Sequence, residues 1–313
     1  MRAVTIQDGN LVVEERPDPE PGKDELLVRV RASGLNGADM LQLKGAYPAP
    51  PGAPPDIPGL ELAGEVAALG PGAGRFGEGE RVMAIVGGGG HAELAVVHER
   101  AAMPVPEPLD WPAAGGVPEV FTTAHDALFS QAGLRPGEHL LVHGAAGGVG
   151  TAAVQLGRAA GARVTATVRR EELRSQVAEL GARAIDPEGF EDEGPFDVVL
   201  ELVGAANLAG NLASLATGGR IAVIGVGGTG PKAEINLLMV MQKRARIHGS
   251  TLRARPLEEK AAAMRLVEKE VLPNFENGTL TVPVAETFEI ERATEAYDRF
   301  AAGGKLGKIV LLM

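Results

Sequence analysis

Apolar and polar positions alternate over the first part of the chain. Residues 3–6, 11–14, 25–32 and 62–68 each read as a strand bounded by glycine or proline. Between the third and fourth lies Tyr47-Pro48-Ala49-Pro50-Pro51-Gly52-Ala53-Pro54-Pro55. Proline fixes φ and has no backbone donor, so this run fits neither a helix nor a sheet interior, and an ordered loop is expected.

The pattern changes near Val120. Strands are expected over residues 139–143, 163–168, 196–202 and 220–226, with helices over 150–160 and 171–180. The runs at 196–202 and 220–226 are almost continuously apolar, as in strands buried on both faces of a parallel sheet. Their alternation with helices gives βαβ units and an α/β, doubly wound parallel sheet. After Thr251 the alternation stops. Leu257, Ala261, Met264, Val267 and Val271 fall on one face of a helix that Pro273 is expected to end. Strands over 281–285 and 308–312 flank a helix over 290–301. These segments are like the start of the chain. The expected organisation is a discontinuous outer domain, residues 1–119 and 255–313, with a Rossmann domain, 120–254, inserted in it.

Composition narrows the chemistry. With 45% hydrophobic positions over 313 residues, the chain can bury two cores. A net charge of -11 argues against a nucleic-acid partner. The absence of cysteine excludes disulfides, thiolate metal sites and cysteine nucleophiles. The N-terminus lacks the features of a signal peptide, and the apolar runs fall short of the about 20 residues that span a bilayer. A cytoplasmic protein with no membrane partner is expected.

The sharpest motif is Val142-His143-Gly144-Ala145-Ala146-Gly147-Gly148-Val149-Gly150. Glycine supplies 43 of the 313 residues, so a three-glycine pattern alone is weak. Its setting strengthens it: an apolar strand precedes it and a good helix former follows. Glycines there let the backbone approach a pyrophosphate and let the helix pack on the strand, while the helix start faces the phosphates. Gly144, Ala145, Ala146, Gly147, Gly148, Val149 and Gly150 are therefore the candidate phosphate loop. The next strand ends in Arg169-Arg170 with no carboxylate at its tip. A carboxylate there would bind the ribose hydroxyls of NAD, whereas an arginine pair suits the 2′-phosphate of NADPH.

The inserted Rossmann pattern, together with Ser33-Gly34-Leu35-Asn36-Gly37-Ala38-Asp39, Pro58-Gly59-Leu60-Glu61 and VHGAAGGVG, resembles the medium-chain dehydrogenase/reductase superfamily over essentially the whole chain. The resemblance implies that the outer domain is GroES-like and mainly β. Zinc alcohol dehydrogenases of this superfamily carry a cysteine where Asn36 stands and a histidine where Leu60 stands, so no metal is expected. The chain is more similar to the zinc-free, zeta-crystallin-like NADPH:quinone oxidoreductase branch, and within it to the tumour-suppressor-inducible quinone reductases. Leu35-Asn36-Gly37-Ala38-Asp39, Gly45-Ala46-Tyr47, the four glycines 87–90, Pro118-Glu119 and Gly307-Lys308-Ile309-Val310-Leu311 carry this likeness. It implies that Asn36, Tyr47 and Thr123 line the nicotinamide and substrate cleft, and that Val203, Gly225 and Lys308 touch the cofactor. Two positions depart from the pattern. Gly147 replaces a serine, and Leu41 stands where some bacterial members have a second active-site tyrosine.

A quinone accepts hydride without a metal or a strong general acid, so a quinone is the expected acceptor and a small molecule the expected partner. Reduction of activated carbon–carbon double bonds needs the same fold and cofactor and stays open. So does a non-catalytic NADPH-binding structural role. His91 is expected at the surface, and His143 to bond only locally. His125 and Asp126 are adjacent and so form no dyad. Glu61 is expected in a buried hydrogen-bond network. The resemblance puts Ser250, Thr251 and Arg253 near the cleft mouth without a role. Residues 246–250 are expected to form an edge strand, which in relatives a second copy covers, so a homodimer is expected.

Overall fold

The computed structural model describes residues 1–313. The chain divides into two compact units: Met1–Thr122 with Leu252–Gly303 and Lys308–Met313, and Thr123–Thr251 with the short segment Gly304–Gly307.

The outer unit begins with an antiparallel pair, β1 (Arg2–Gln7) and β2 (Asn10–Glu15). The strands β3 (Glu25–Gly34), β4 (Glu61–Leu69), β5 (Arg81–Ile85), β6 (Leu94–His98) and β7 (Ala102–Pro104) follow. The expected strands of the first third are all present, each within a few residues of its limits. The proline run after Tyr47 is a loop without regular structure.

The inserted unit holds six parallel strands: β8 (His139–Val142), β9 (Arg163–Thr167), β10 (Arg183–Ile185), β11 (Phe196–Glu201), β12 (Leu215–Val223) and β13 (Arg246–Gly249). Their spatial order is β10-β9-β8-β11-β12-β13. The order reverses between β8 and β11, and ligands of open α/β sheets bind at such a switch point, outside the carboxyl ends of the strands. Leu140, Leu141, Val198, Val199 and Leu200 are wholly buried, as the apolar runs require. The expected strand at 220–226 starts earlier, at Leu215, directly after helix Leu208–Ser214, and ends at Val223.

The chain returns to the outer unit for β14 (Val284–Glu289) and β15 (Lys308–Leu312). β15 lies between β14, to which it is parallel, and β3, to which it is antiparallel. Together they complete a sheet in the order β14-β15-β3-β4-β5-β7, with β6 also paired to β3. Two expectations are corrected here. Helix Leu257–Glu270 ends before Pro273, which sits in the first turn of a further helix, Leu272–Glu276. Proline is at ease there because a first-turn N–H has no helical partner to lose. The strand expected at 281–285 runs three to four residues later, over Val284–Glu289, where it pairs with β15. Leu35, Phe288, Ile290, Ala296, Tyr297, Ile309 and Leu311 fill a core beneath this sheet.

Candidate cofactor and active site

In the inserted unit the glycine-rich loop closes tightly. Ala145 N–H donates to Thr167 O at 3.2 Å, and Gly147 N–H to Gly144 O at 3.1 Å. Gly147 is the N-cap of helix Gly148–Ala159, and no side chain caps that helix. The first N–H groups of a helix have no partner within it, an arrangement suited to an anion. Gly150 cannot be replaced: a Cβ there would stand 2.6 Å from both Ala145 Cα and Gly144 O. Gly147 differs, because its Cβ position meets only Gly144 O, at 3.5 Å, so the space that a serine would fill in relatives is open.

The structure brings other expected cofactor residues to this loop. A Cβ on Gly144 would lie 3.3 Å from Val203 Cγ2, and one on Gly225 would lie 2.5 Å from Leu202 O. Gly144, Val203 and Gly225 lie just past the carboxyl ends of β8, β11 and β12. Arg169 and Arg170 follow β9 and are exposed. Arg170 reaches Glu172 only at 3.8 Å, and its guanidinium lies about the position that a Cβ on Gly304 would occupy, 3.5 Å away. The segment Gly304–Gly307 also supports the glycine-rich loop, since Gly307 N–H donates to Ala146 O at 2.8 Å.

Behind the loop runs a buried polar chain. His143 bonds through Nδ1 to Thr167 Oγ1 at 3.0 Å and through Nε2 to Asn211 Oδ1 at 2.7 Å. Asn211 Nδ2 donates to Glu201 Oε2 at 2.9 Å, and Glu201 Oε1 accepts from Val203 N–H and Gly204 N–H at 2.7 and 2.8 Å. The expectation that His143 bonds only locally is thus corrected, because its partners lie 24 and 68 residues away. Burial holds its pKa below the usual imidazole value, against the pull of Glu201. The chain ties together the ends of β8, β9 and β11, which carry the loop and the Val203 turn.

In the outer unit a second network surrounds Asn36. Lys308 Nζ donates to Leu35 O at 2.7 Å, Asn36 Oδ1 at 2.9 Å and Glu61 Oε1 at 2.6 Å. Asn36 Nδ2 donates to Glu61 Oε1 and to Gly34 O. Glu61 and Lys308 are 0% and 3% exposed. The network crowds Gly34, where a Cβ would stand 2.5 Å from Glu61 Oε1. Asn36 also starts helix Gly37–Leu43, its N–H bonded to Asp39 Oδ2 at 2.8 Å. Asp39 accepts from Gly59 N–H as well, and burial raises its carboxyl to about 6 despite both bonds. Glu61 meets its expectation. Lys308, expected to touch the cofactor, has its ammonium committed to these three acceptors.

Tyr47 is half-buried, and Arg253 holds it. The Arg253 guanidinium lies 5.1 Å from the ring centroid. Its Nη1 donates to Tyr47 O and its Nε to Gly87 O, both at 2.8 Å, and its Nη2 donates to Gln42 Oε1. Arg253 is 2% exposed, and burial lowers its pKa from the usual guanidinium value. Sequence reasoning gave it no role, because its partners lie as far as 211 residues away. Thr123, buried, lies in helix Pro118–His125, which runs on into a π-helical turn, Asp126–Gln131. Such turns are frequent at functional sites. His91, expected at the surface, is 0% exposed. The glycine turn carries it inward, where its N–H bonds to Pro58 O and its Nδ1 shares a 3.1 Å hydrogen bond with the Tyr297 hydroxyl. Burial drives its pKa down to about 3.

The comparisons agree with this architecture. An alcohol dehydrogenase GroES-like domain model matches residues 22–107, and a zinc-binding dehydrogenase model matches residues 148–269. The quinone oxidoreductase of Rattus norvegicus is 33% identical over 100% of this chain and 98% of its own length. That of Homo sapiens is 32% identical with the same coverage. The chain belongs to the quinone oxidoreductase branch of the medium-chain dehydrogenase/reductase superfamily. An alcohol dehydrogenase superfamily protein from Novosphingobium aromaticivorans has the same fold, with a TM-score of 0.88 at 29% identity over 100% of this chain and 99% of that one. The fold class is thus a Rossmann sheet with a GroES-like domain, and the protein is an oxidoreductase of a nicotinamide-dinucleotide-binding family.

The zinc named for one of these family models does not fit this member's residues. Leu60 has no donor atom, Asn36 is bonded to Lys308, Glu61 and Gly34, and no group of three His, Asp or Glu side chains is placed to hold a metal ion. No helix is long and apolar enough to cross a membrane.

Proposed function

We propose that this oxidoreductase uses NADPH to reduce quinones, without a metal, with Asn36 and Tyr47 on a domain of residues 1–119 and 255–313, and Thr123 and the cofactor on a domain of residues 120–254. The observation that carries the reading is the Lys308–Asn36–Glu61 network. A hydrogen-bonded ammonium stands among the residues that a Lewis acid would need, which favours an acceptor already activated toward hydride. A quinone is such an acceptor, and the named quinone oxidoreductases among the relatives favour it over a simple ketone or alcohol.

NADPH supplies the hydride when bound. The loop Gly144–Ala145–Ala146–Gly147–Gly148–Val149–Gly150 would hold its pyrophosphate at the uncapped helix start, with Val203 and Gly225 beside it. Arg169 and Arg170 would take the 2′-phosphate, which their exposure and loose pairing leave them free to do. Tyr47 presents a ring fixed by Arg253, on which a flat acceptor can stack, and a hydroxyl that can bond to its oxygen. Asn36 would orient the acceptor or the nicotinamide, and Thr123 is the third candidate catalytic residue. A homodimer, a small-molecule partner and a cytoplasmic location belong to the same reading. The dimer is supported by edge strand β13 and by helix Leu237–Lys243, on which Leu237, Leu238 and Met241 are 67%, 60% and 72% exposed.

The test is NADPH oxidation by the metal-chelated protein with a panel of quinones, conjugated enones and simple ketones. Turnover with quinones that survives chelation is expected, and preferential turnover of enones would shift the reading to double-bond reduction. Tyr47→Phe then separates stacking from hydrogen bonding. A hydroxyl that stabilises charge on the acceptor oxygen makes kcat fall about tenfold or more, whereas pure stacking leaves Phe like wild type and makes Tyr47→Ala raise KM. Wild-type kcat and KM in both variants would remove Tyr47 from the site.

A further inference from the structure

Five of the nine residues 47–55 are proline. Proline has no N–H, so such a loop offers carbonyls but few donors with which to bond itself. Within it, Ala53 N–H donates to Pro50 O at 3.1 Å. Further order has to come from donors outside the loop, and a guanidinium consists only of donors. Arg253, buried, brings one to the start of the loop, where its Nη1 donates to Tyr47 O at 2.8 Å. The far end is reached through a second buried side chain. Gln42, on helix Gly37–Leu43, accepts from Arg253 Nη2 at its Oε1 and donates from its Nε2 to Pro55 O at 3.2 Å. One guanidinium therefore holds both ends of the loop, one directly and one across the Gln42 amide.

The same group fixes the turn against which the loop packs. The four glycines 87–90 approach the prolines so closely that a Cβ on Gly87 would stand 2.9 Å from both Pro50 Cγ and Ala53 Cβ, and one on Gly88 would stand 2.9 Å from Pro54 O. Arg253 Nε donates to Gly87 O at 2.8 Å, so the guanidinium bonds to the glycine turn as well as to the proline loop. It also lies 5.1 Å from the centroid of the Tyr47 ring, within cation–π range. Arg253 is anchored in turn, because its carbonyl accepts from Lys260 Nζ, on helix Leu257–Glu270, at 3.1 Å.

We propose that Arg253, acting directly and through Gln42, is a positioning residue that sets acceptor specificity: its double tether on residues 47–55 presents the Tyr47 ring as a fixed wall that selects flat acceptors. The inference rests on the reading of Tyr47 as the residue on which the acceptor stacks. A loop already ordered before binding spares the acceptor the entropy of ordering it, which appears as a lower KM. Stacking also needs two parallel faces. A ring that cannot tilt or withdraw rewards a flat quinone and leaves no room for one thickened by groups above and below its plane. Freed at either end, the loop would lose the first advantage and relax the second restriction.

Two measurements test this. The chain has two tyrosines, Tyr47 and the buried Tyr297, so fluorine NMR of the full chain labelled with fluorotyrosine gives one resonance for each, assigned with Tyr47→Phe. In Arg253→Met the Tyr47 resonance should move toward that of free fluorotyrosine, while the Tyr297 resonance stays in place and reports an intact core. The second measurement is steady-state kinetics with a flat naphthoquinone and with a benzoquinone flanked by tert-butyl groups. Arg253→Met should raise KM for the naphthoquinone about tenfold, the cost of ordering a few side chains on binding, and leave kcat and NADPH affinity within about twofold. KM for the tert-butyl quinone should stay level or fall, so the preference for the flat acceptor shrinks. In a Tyr47→Ala background Arg253→Met should add less than about twofold, because two residues acting through one contact are not additive. An unmoved Tyr47 resonance, an unchanged preference, or an undiminished KM effect in the Tyr47→Ala background overturns the inference and leaves quinone reduction standing. If Arg253→Met loses the Tyr297 resonance and so does not fold, Gln42→Glu decides. It still accepts from Arg253 but cannot donate to Pro55 O, and KM for the naphthoquinone should rise about threefold, the worth of one hydrogen bond; an unchanged KM overturns the inference. Tyr47→Ala with wild-type kinetics overturns the reading of Tyr47 itself, and the inference with it.

Discussion

Replacing Lys308 by methionine removes one ammonium from the centre of the outer unit's buried network. Three acceptors lose their donor: Leu35 O, Asn36 Oδ1 and Glu61 Oε1, at 2.7, 2.9 and 2.6 Å. Glu61 is fully buried and keeps only Asn36 Nδ2 and Glu119 N–H as partners. Removing one member of a buried ion pair costs about 3–5 kcal/mol, most of it the uncompensated charge left behind. Methionine matches the aliphatic stem, so little of the loss comes from packing. The double variant Lys308→Met/Glu61→Gln removes that stranded charge and should recover about half of the loss, leaving unpaired neutral groups at about 1–3 kcal/mol. Equilibrium urea unfolding of the wild type, both single variants and the double variant gives the full cycle. A Lys308→Met protein within about 1 kcal/mol of wild type, or a double variant no more stable than Lys308→Met, would refute the reasoning. The cycle also decides what Lys308 is for. If the ammonium serves the network, folded Lys308→Met binds NADPH within about threefold of wild type. A tenfold weaker affinity with unchanged stability would make it a cofactor contact.

Arg169→Ala/Arg170→Ala should weaken NADPH binding by about tenfold to a hundredfold, the worth of a charged hydrogen bond, and leave NADH binding unchanged; equal affinities of the wild type for both cofactors, measured by calorimetry, would sink this. His91, at about 3 in the folded protein against a usual 6.5, binds its proton more tightly when unfolded. It therefore costs nothing above pH 6.5 and removes stability as pH falls from there toward 3, up to about 4–5 kcal/mol. Asp39, raised to about 6, works in the opposite sense over the acid range, so His91→Gln should flatten or reverse the loss of stability between pH 6 and pH 4 in urea titrations, and an unchanged slope would contradict the burial argument. Leu238→Glu/Met241→Glu should convert the proposed dimer to a monomer in light scattering, whereas a monomeric wild type at micromolar concentration would rule out the dimer itself.

Local pattern carried much of the architecture. Leu140–Val142 before Gly144, and the apolar runs of β11 and β12, announce a parallel sheet because each strand is buried on both faces within a few residues of chain. Less legible were helix Gly37–Leu43, too short for a helical period and started by the Asp39–Asn36 bond, and β5, whose four buried residues in a row show no alternation. Pro273 misled because a proline can begin a helix as readily as stop one. At the candidate site, the glycine-rich loop proposed to hold the phosphates is contiguous and its sequence was readable. The groups around Tyr47 were not, since Arg253 meets it from 206 residues away and His91 finds Tyr297 at the same separation. Glu119 was visible only as part of a family likeness; its raised pKa comes from burial and from Glu61, 58 residues earlier.

The position of β15 bears on how the protein is made. A ribosome releases the chain from the N-terminus, yet β15 is an interior strand, seated between β14 and β3. The sheet begun by β3 therefore waits, with a free edge, until residues 308–312 have emerged. The four residues just before β15 belong to the other unit, and Gly307 supplies the N–H that Ala146 O receives. One continuous segment, residues 304–313, thus contributes to both units. A nascent chain halted before residue 308 would hold all six strands of the Rossmann sheet and an outer sheet with an open edge, and an unpaired edge of that kind is what chaperones cover and what aggregates when they do not.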